Sequence, residues 1–240
     1  MFLLCSLWDQ KENISIDIYK TSILRNRLRT GLRRAEFGEV RKLLVFHKAQ
    51  LAFLSVPKTG SSAYQTALAP HADMVISDPP LLKHAPVYRY NRFIRPMYLK
   101  VCDVELELMA VMREPISWLG SWYRYRQRPF MQGKPNATFG ISFDDFVLAY
   151  MKGNKPGFAD VGSQSKFLEA QPNGVGISHL FAYEDQPRLQ AFLRQRLGVD
   201  FSLGRENVSP EMELTLSPDV EERFRRKFSQ EFALYESTRG

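Results

Sequence analysis

The chain has 240 residues, 44% of them hydrophobic and 25% charged, which is enough apolar material to bury a domain-sized core and excludes disorder over most of its length. Its 33 lysines and arginines against 26 acids leave a formal charge of +7, which favours anionic ligands or surfaces and leaves nucleic acid open on charge alone. Cys5 and Cys102 fit neither a disulfide framework nor zinc-ligand spacing, no apolar run reaches the ~20 residues that span a bilayer, and Met1 to Trp8 lacks the basic leader of a signal peptide, so a soluble, cytoplasmic protein is expected.

In chain order, Ile16, Tyr19, Ile23, Leu24, Leu28 and Leu32 recur at helical spacing among five arginines, which predicts an amphipathic helix in a basic N-terminal segment (1–40) packed on a single domain (41–240). Lys42 to Phe46 and Leu51 to Val56 are apolar runs separated by four residues, the pattern of a hairpin. The second run leads through Pro57-Lys58-Thr59-Gly60-Ser61-Ser62 into a helix over 61–69. Glu107 to Met112 predicts a buried strand that stops at Arg113-Glu114-Pro115, followed by a helix over 116–126 with Pro115 in its first turn. A third strand over 177–183 runs through Glu184-Asp185 into a helix over 187–197, and Ser217-Pro218-Asp219 opens one final helix to Tyr235. Strands alternating with helices predict an α/β fold, with a central, mostly parallel sheet flanked by helices in three layers.

The chemistry concentrates at Pro57 to Ser62. A helix N-terminus carries unpaired N–H groups and about half a positive charge, Gly60 lets the backbone come close to a ligand, and Lys58 adds a full charge. That combination asks for a phosphate-like anion. The order differs from the nucleotide-hydrolysing P-loop, GxxxxGK[ST]: here the lysine precedes the glycine, and no acidic strand end of the magnesium-holding kind lies nearby.

Taken with Arg113-Glu114-Pro115 and Ser121, eight positions after the arginine, this loop resembles the two donor-binding motifs of the sulfotransferases that use 3′-phosphoadenosine-5′-phosphosulfate (PAPS), nearest the carbohydrate and Golgi-type branch. Tyr183-Glu184-Asp185, Asn207-Val208-Ser209 and Phe232-Ala233-Leu234-Tyr235 resemble further segments of that family, with Glu231 where aspartate is usual. The resemblance implies a P-loop-like fold and metal-independent transfer of a sulfuryl group to the hydroxyl or amine of a saccharide or other hydroxylated metabolite. It further implies that Pro57, Lys58, Thr59, Gly60, Ser61 and Ser62 hold the 5′-phosphosulfate end, and that Arg113 and Ser121 hold the 3′-phosphate.

Physical roles follow. Charge develops on the oxygen bridging sulfur and the 5′-phosphate, so Lys58 beside it would favour the transition state over the ground state. A hydroxyl acceptor must lose its proton, and His84 in Leu82-Lys83-His84-Ala85-Pro86 resembles the lysine–histidine segment that several family members carry before their second motif. Arg205 belongs to a late loop that can reach the donor. His47, His71 and His179 read as structural, as do Glu184 and Asp185 at a helix start. The aromatic residues Trp118, Trp122, Tyr123 and Tyr125 read as packing against the sheet, one of them within possible reach of adenine; Arg124, Arg126 and Arg128 either meet an acidic acceptor or are solvated. Two other classes stay open on sequence alone: a P-loop kinase or other nucleotide phosphotransferase, and, ranked last, a non-catalytic anion- or nucleic-acid-binding protein; the chain has no aromatic-basic pattern of a nucleic-acid module, so no nucleic-acid partner is expected.

Overall fold

The computed structural model describes residues 43–204 and 212–239. The expected helix over 16–35, Arg205 and the Asn207-Val208-Ser209 segment lie outside the described residues.

Five strands form one sheet in the order β3-β1-β2-β4-β5: β1 (Leu43–Phe46), β2 (Leu51–Leu54), β3 (Met74–Ile76), β4 (Glu107–Met112) and β5 (His179–Ala182). β1 pairs antiparallel with both β2 and β3, whereas β2–β4 and β4–β5 are parallel. The sheet is therefore mixed, and the expected mostly parallel character holds only for direction: β1 alone is reversed. The reversal comes from the short turn at 47–50, which joins neighbouring antiparallel strands, whereas each parallel step is bridged by a longer crossover.

Each strand sends alternate side chains to opposite faces, and every residue of β1 and β2 is buried, because helices cover both sides. On one face Leu44, Phe46, Leu51, Phe53, Met109 and Val111 meet α1 (Ser61–Leu68) through Tyr64 and Leu68, together with a later helix carrying Leu189 and Leu193. On the other, Leu43, Val45, Ala52, Leu54 and Leu108 meet Val87, Tyr90, Ile94 and Tyr98. Those four lie on one continuous helical run, α2 (Val87–Arg89), a π-turn (Tyr90–Ile94) and α3 (Arg95–Cys102).

α4 (Pro115–Tyr125) follows β4, and its aromatic residues pack against helices where the sequence suggested the sheet. Trp118, Leu119 and Tyr123 form a separate core with Phe143, Phe146 and Tyr150 of α5 (Phe143–Tyr150) and with Phe224 of α8 (Pro218–Lys227). α6 (Gln164–Leu168) precedes β5, and α7 (Gln186–Leu197) follows it. The single final helix expected over 217–235 is two: α8 stops at Phe228, whose φ of −111° and ψ of 31° are not helical, and α9 (Ser229–Glu236) resumes. Among the described residues no helix is long and apolar enough to cross a membrane.

Candidate functional site

β2, β4 and β5 are parallel neighbours, so their carboxyl ends open on the same edge of the sheet, where α/β folds place ligands. The segment after β2 is Ser55 to Gly60, after β4 Arg113-Glu114, and after β5 Tyr183-Glu184-Asp185. The Tyr183 N–H donates to the Met112 carbonyl at 2.7 Å, which extends the β4–β5 ladder by one step beyond the strands.

Lys58 and Gly60 both adopt the left-handed backbone region, each with φ of 68°. For Gly60 the reason is partly steric. A Cβ there would sit 2.6 Å from Cε2 of Tyr183, so the glycine admits a tyrosine ring as well as a positive φ. For lysine the conformation costs energy that a β-carbon-free residue would not incur, the kind of strain that gathers at ligand sites. α1 begins directly after Gly60, with no side-chain hydrogen bond capping it and no acid in its first turn. Ser61 is buried and Ser62 half-buried at that helix start. Thr59 takes another role: its hydroxyl donates to the Val56 carbonyl at 2.9 Å and fixes the loop's own shape.

Two contacts pin the loop against α4. The Trp118 indole N–H donates to the Pro57 carbonyl at 2.8 Å. The Lys58 ammonium lies 3.4 Å from the centre of the Tyr125 ring and 5.1 Å from that of Trp122, within cation–π range. The lysine is buried apart from a small remainder, so the loop's charge is held among aromatic rings and not spread into solvent.

Arg113 also lies against Tyr183, with its guanidinium carbon 4.5 Å from the ring centre. One tyrosine therefore touches both the glycine of the first motif and the arginine of the second. Arg113 Nε donates to Ser117 Oγ at 2.9 Å, and Ser121, buried, lies one turn further along the same helix face. The backbone of Arg113 is clamped from below: its N–H donates to Gln164 Oε1 at 2.9 Å and its carbonyl accepts from Gln164 Nε2 at 2.8 Å. Gln164 is held in turn through its own N–H by the buried Glu231 carboxylate of α9, which also accepts from Ser163 and Ser165. Glu114 caps α4 by accepting from the Ser117 N–H at 2.7 Å. Glu184 accepts from the Glu114 N–H and from the Tyr235 hydroxyl, and Asp185 caps α7, so both carboxylates are structural as expected.

Burial pushes the Arg113 guanidinium below its ordinary value, while Tyr183, Glu184 and Glu114 oppose the shift. Arg124 is lowered too, first by burial and then by the charge of Arg113. Arg124 itself donates to the Met212 carbonyl at 3.3 Å. Arg124 was open in the sequence between an acceptor role and plain solvation; it points back along α4, within 3.6–3.7 Å of the position a Gly120 Cβ would take. Ser117, Gln164, Tyr183 and Glu231 carried no assigned site role in the sequence. Tyr183 and Glu231 stood in segments that resemble the sulfotransferases, and Ser117 had a readable spacing, four residues after Arg113 and four before Ser121 on a helix; Gln164 had no signal.

His84 is brought to the root of the loop. Its Nδ1 lies 3.3 Å from the Ser55 carbonyl oxygen, which can only accept, so the contact puts the proton on Nδ1 and makes Nε2 the basic nitrogen of the neutral ring. Gln65 Nε2 of α1 donates to Ser55 Oγ, which joins the histidine segment, the strand end and the loop helix. A separate cavity of about 990 Å³ opens beside α5 and α8, and none of the residues above lines it.

No protein-family profile, curated protein or solved structure matches the chain.

Proposed function

We propose that the protein is a PAPS-dependent sulfotransferase that moves a sulfuryl group to a hydroxyl or amine of a saccharide or other hydroxylated metabolite. The observation that carries this reading is the shared tyrosine: Gly60 of one motif and Arg113 of the other meet the same Tyr183 ring, so two cationic loops face one region at adjacent strand ends. In this reading the first turn of α1, Ser61, Ser62 and Lys58 hold the 5′-phosphosulfate end. Arg113, with Ser117 and Ser121 on the neighbouring helix face, holds the 3′-phosphate. The donor set is all cations, hydroxyls and backbone N–H groups, which suits a multiply charged adenylate. In the transfer the acceptor oxygen bonds to sulfur as the bond from sulfur to the bridging oxygen breaks. Lys58 stabilises the charge left on that oxygen, and His84 takes the acceptor's proton.

The decisive measurement is calorimetric titration with 3′-phosphoadenosine-5′-phosphate (PAP) in a chelator, beside ATP with magnesium. PAP is expected to bind and ATP to bind more weakly. Arg113→Ala should weaken PAP by about 1.5–3 kcal/mol, the worth of hydrogen bonds to a charged group. Equal or preferred binding of ATP, or PAP binding indifferent to Arg113, would overturn the assignment.

A further inference from the structure

β4 ends at Met112, and the α-carbon of Arg113 lies between two peptide planes whose polar atoms are all held. The Met112 carbonyl accepts from the Tyr183 N–H at 2.7 Å. The Gln164 carboxamide accepts from the Arg113 N–H at 2.9 Å and donates to the Arg113 carbonyl at 2.8 Å, so it offers one acceptor and one donor as a neighbouring strand would. One Glu184 oxygen accepts from the Glu114 N–H at 3.2 Å. Both side-chain partners are tied in turn to α9. Glu231 accepts from the Gln164 N–H at 2.9 Å and from the hydroxyls of Ser163 and Ser165, each at 2.8 Å. The Tyr235 hydroxyl donates to the other Glu184 oxygen at 2.9 Å. Glu231 and Tyr235 are four residues apart, so they share one face of α9, and they are buried, with 4% and 2% exposure. Gln164 is fully buried as well.

We propose that Glu231 and Tyr235 are positioning residues for Arg113: α9 braces the two peptide planes beside it, and this brace sets the site's selectivity for a nucleotide with a phosphate at its 3′ position. The proposal rests on the transferase reading for the ligand, whereas the brace is read from hydrogen bonds alone. Fixing both planes fixes the φ and ψ of Arg113, and so the direction in which its side chain leaves the backbone. Ser117 and Tyr183 then hold the guanidinium at one place. A planar guanidinium grips a phosphate through two bonds only when its plane is aimed, so a shifted α-carbon costs either those bonds or the contacts to Ser117 and Tyr183. Neither Glu231 nor Tyr235 touches Arg113 itself; each acts through one intermediate side chain. Adenosine 5′-phosphate lacks the 3′-phosphate, so its binding does not call on Arg113. Loss of the brace should therefore separate the two nucleotides, while general damage to the fold would weaken both.

Glu231→Ala cuts the first link without altering Gln164, and Tyr235→Phe removes one hydroxyl from the second. Amide hydrogen exchange of the ligand-free full chain is followed at Arg113 and Glu114, beside calorimetric titration with PAP and with adenosine 5′-phosphate in a chelator. The Arg113 N–H in Glu231→Ala, and the Glu114 N–H in Tyr235→Phe, are expected to exchange at least about tenfold faster while amides inside β2 and β4 keep their rates. The preference for PAP over adenosine 5′-phosphate should fall by about five- to tenfold in each variant, with affinity for adenosine 5′-phosphate held within about twofold. Glu231→Gln keeps an acceptor for the Gln164 N–H and should restore most of the preference. Where Glu231→Ala does not fold, Tyr235→Phe decides alone. Unchanged exchange at both amides, faster exchange with the preference intact, or equal loss of affinity for both nucleotides overturns the brace. A wild-type chain without preference for PAP removes the selectivity together with the transferase reading, and the exchange rates still decide whether α9 fixes Arg113.

Discussion

Lys58 is a charged, β-carbon-bearing residue in the left-handed region, surrounded by aromatic rings and joined to a helix start. A non-glycine residue there stores roughly 1–3 kcal/mol, which persists only where surrounding structure over-determines it, and here Thr59, Trp118 and Tyr125 do so. His84 is held differently, by the Ser55 carbonyl at the loop's root. The two residues should therefore fail in distinct ways. Lys58→Ala is expected to depress turnover and to weaken PAP as well, since in the proposed reaction the ammonium would face the donor's anionic end before and during transfer. His84→Ala should leave PAP affinity near wild type, cut the rate by about 10²–10⁴-fold, and abolish the rise of rate with pH that a histidine base imposes. A sulfate-transfer assay across pH with matched PAP titrations separates them. An unchanged acid limb in the histidine variant would assign the base elsewhere.

α4 links everything at the site. It begins on the Glu114 cap, presents Ser117 to Arg113, pins Pro57 through Trp118, and ends under the Lys58 ammonium at Tyr125. Trp118→Phe keeps most of the apolar volume but deletes the donor, leaving the half-buried Pro57 carbonyl to find another partner. The loss should be about 0.5–1.5 kcal/mol of stability, with a larger fractional loss of PAP affinity than of stability because the loop alone is released. Chemical denaturation beside calorimetry checks it; a stability loss with PAP affinity intact would show that the pin does not set the loop. Much of this element could be read from Arg113-Glu114-Pro115 and the apolar spacing, as could β4 over its full observed length and the strand entering the anion loop. β3 could not, because three apolar residues between Asp73 and Ser77 give no periodicity to count. Gln164 was equally hidden, and Glu231, though it stood in a family-like segment, had an unreadable partner: their roles come from tertiary hydrogen bonds to Arg113 and α6, reached across 51 and 67 residues of sequence, and residue type alone does not announce such partners. The aromatic residues of α4 had the right helical spacing but an unreadable partner, since α5 and α8 cover them only once the chain has folded back.

Among the described residues the two ends of the sheet differ in their charged groups. Cationic loops crowd the carboxyl edge of the sheet, and the amino edge is closed by a charged clamp. Glu107 at the start of β4 contacts His179 at the start of β5 at 3.0 Å and Arg196 of α7 at 2.5 Å, and Arg196 also donates to the Ala49 carbonyl in the β1–β2 turn at 3.0 Å. One carboxylate thus ties two strands, a helix and the hairpin turn, far along the strands from Lys58 and Arg113. Its hydrogen bond to His179 foremost lowers the Glu107 carboxyl below its ordinary value of 4.5; burial opposes this, and the Arg196 charge adds a smaller lowering. A carboxyl depressed on folding contributes stability that is fully present above its unfolded value and lost as pH falls through the folded one. Glu107→Gln keeps an acceptor for Arg196 and removes the charge, so it should lower stability at neutral pH, and the gap from wild type should close as pH falls from the ordinary carboxyl value of 4.5 through the depressed folded one. The clamp is half-exposed, so the gap is small and shrinks in high salt as well. PAP affinity should stay unchanged, because the substitution sits at the opposite edge from the anion loops. Denaturation curves of both proteins across acid pH, with PAP titration at neutral pH, decide it: a gap that is constant with pH would mean that packing and not charge holds this edge together.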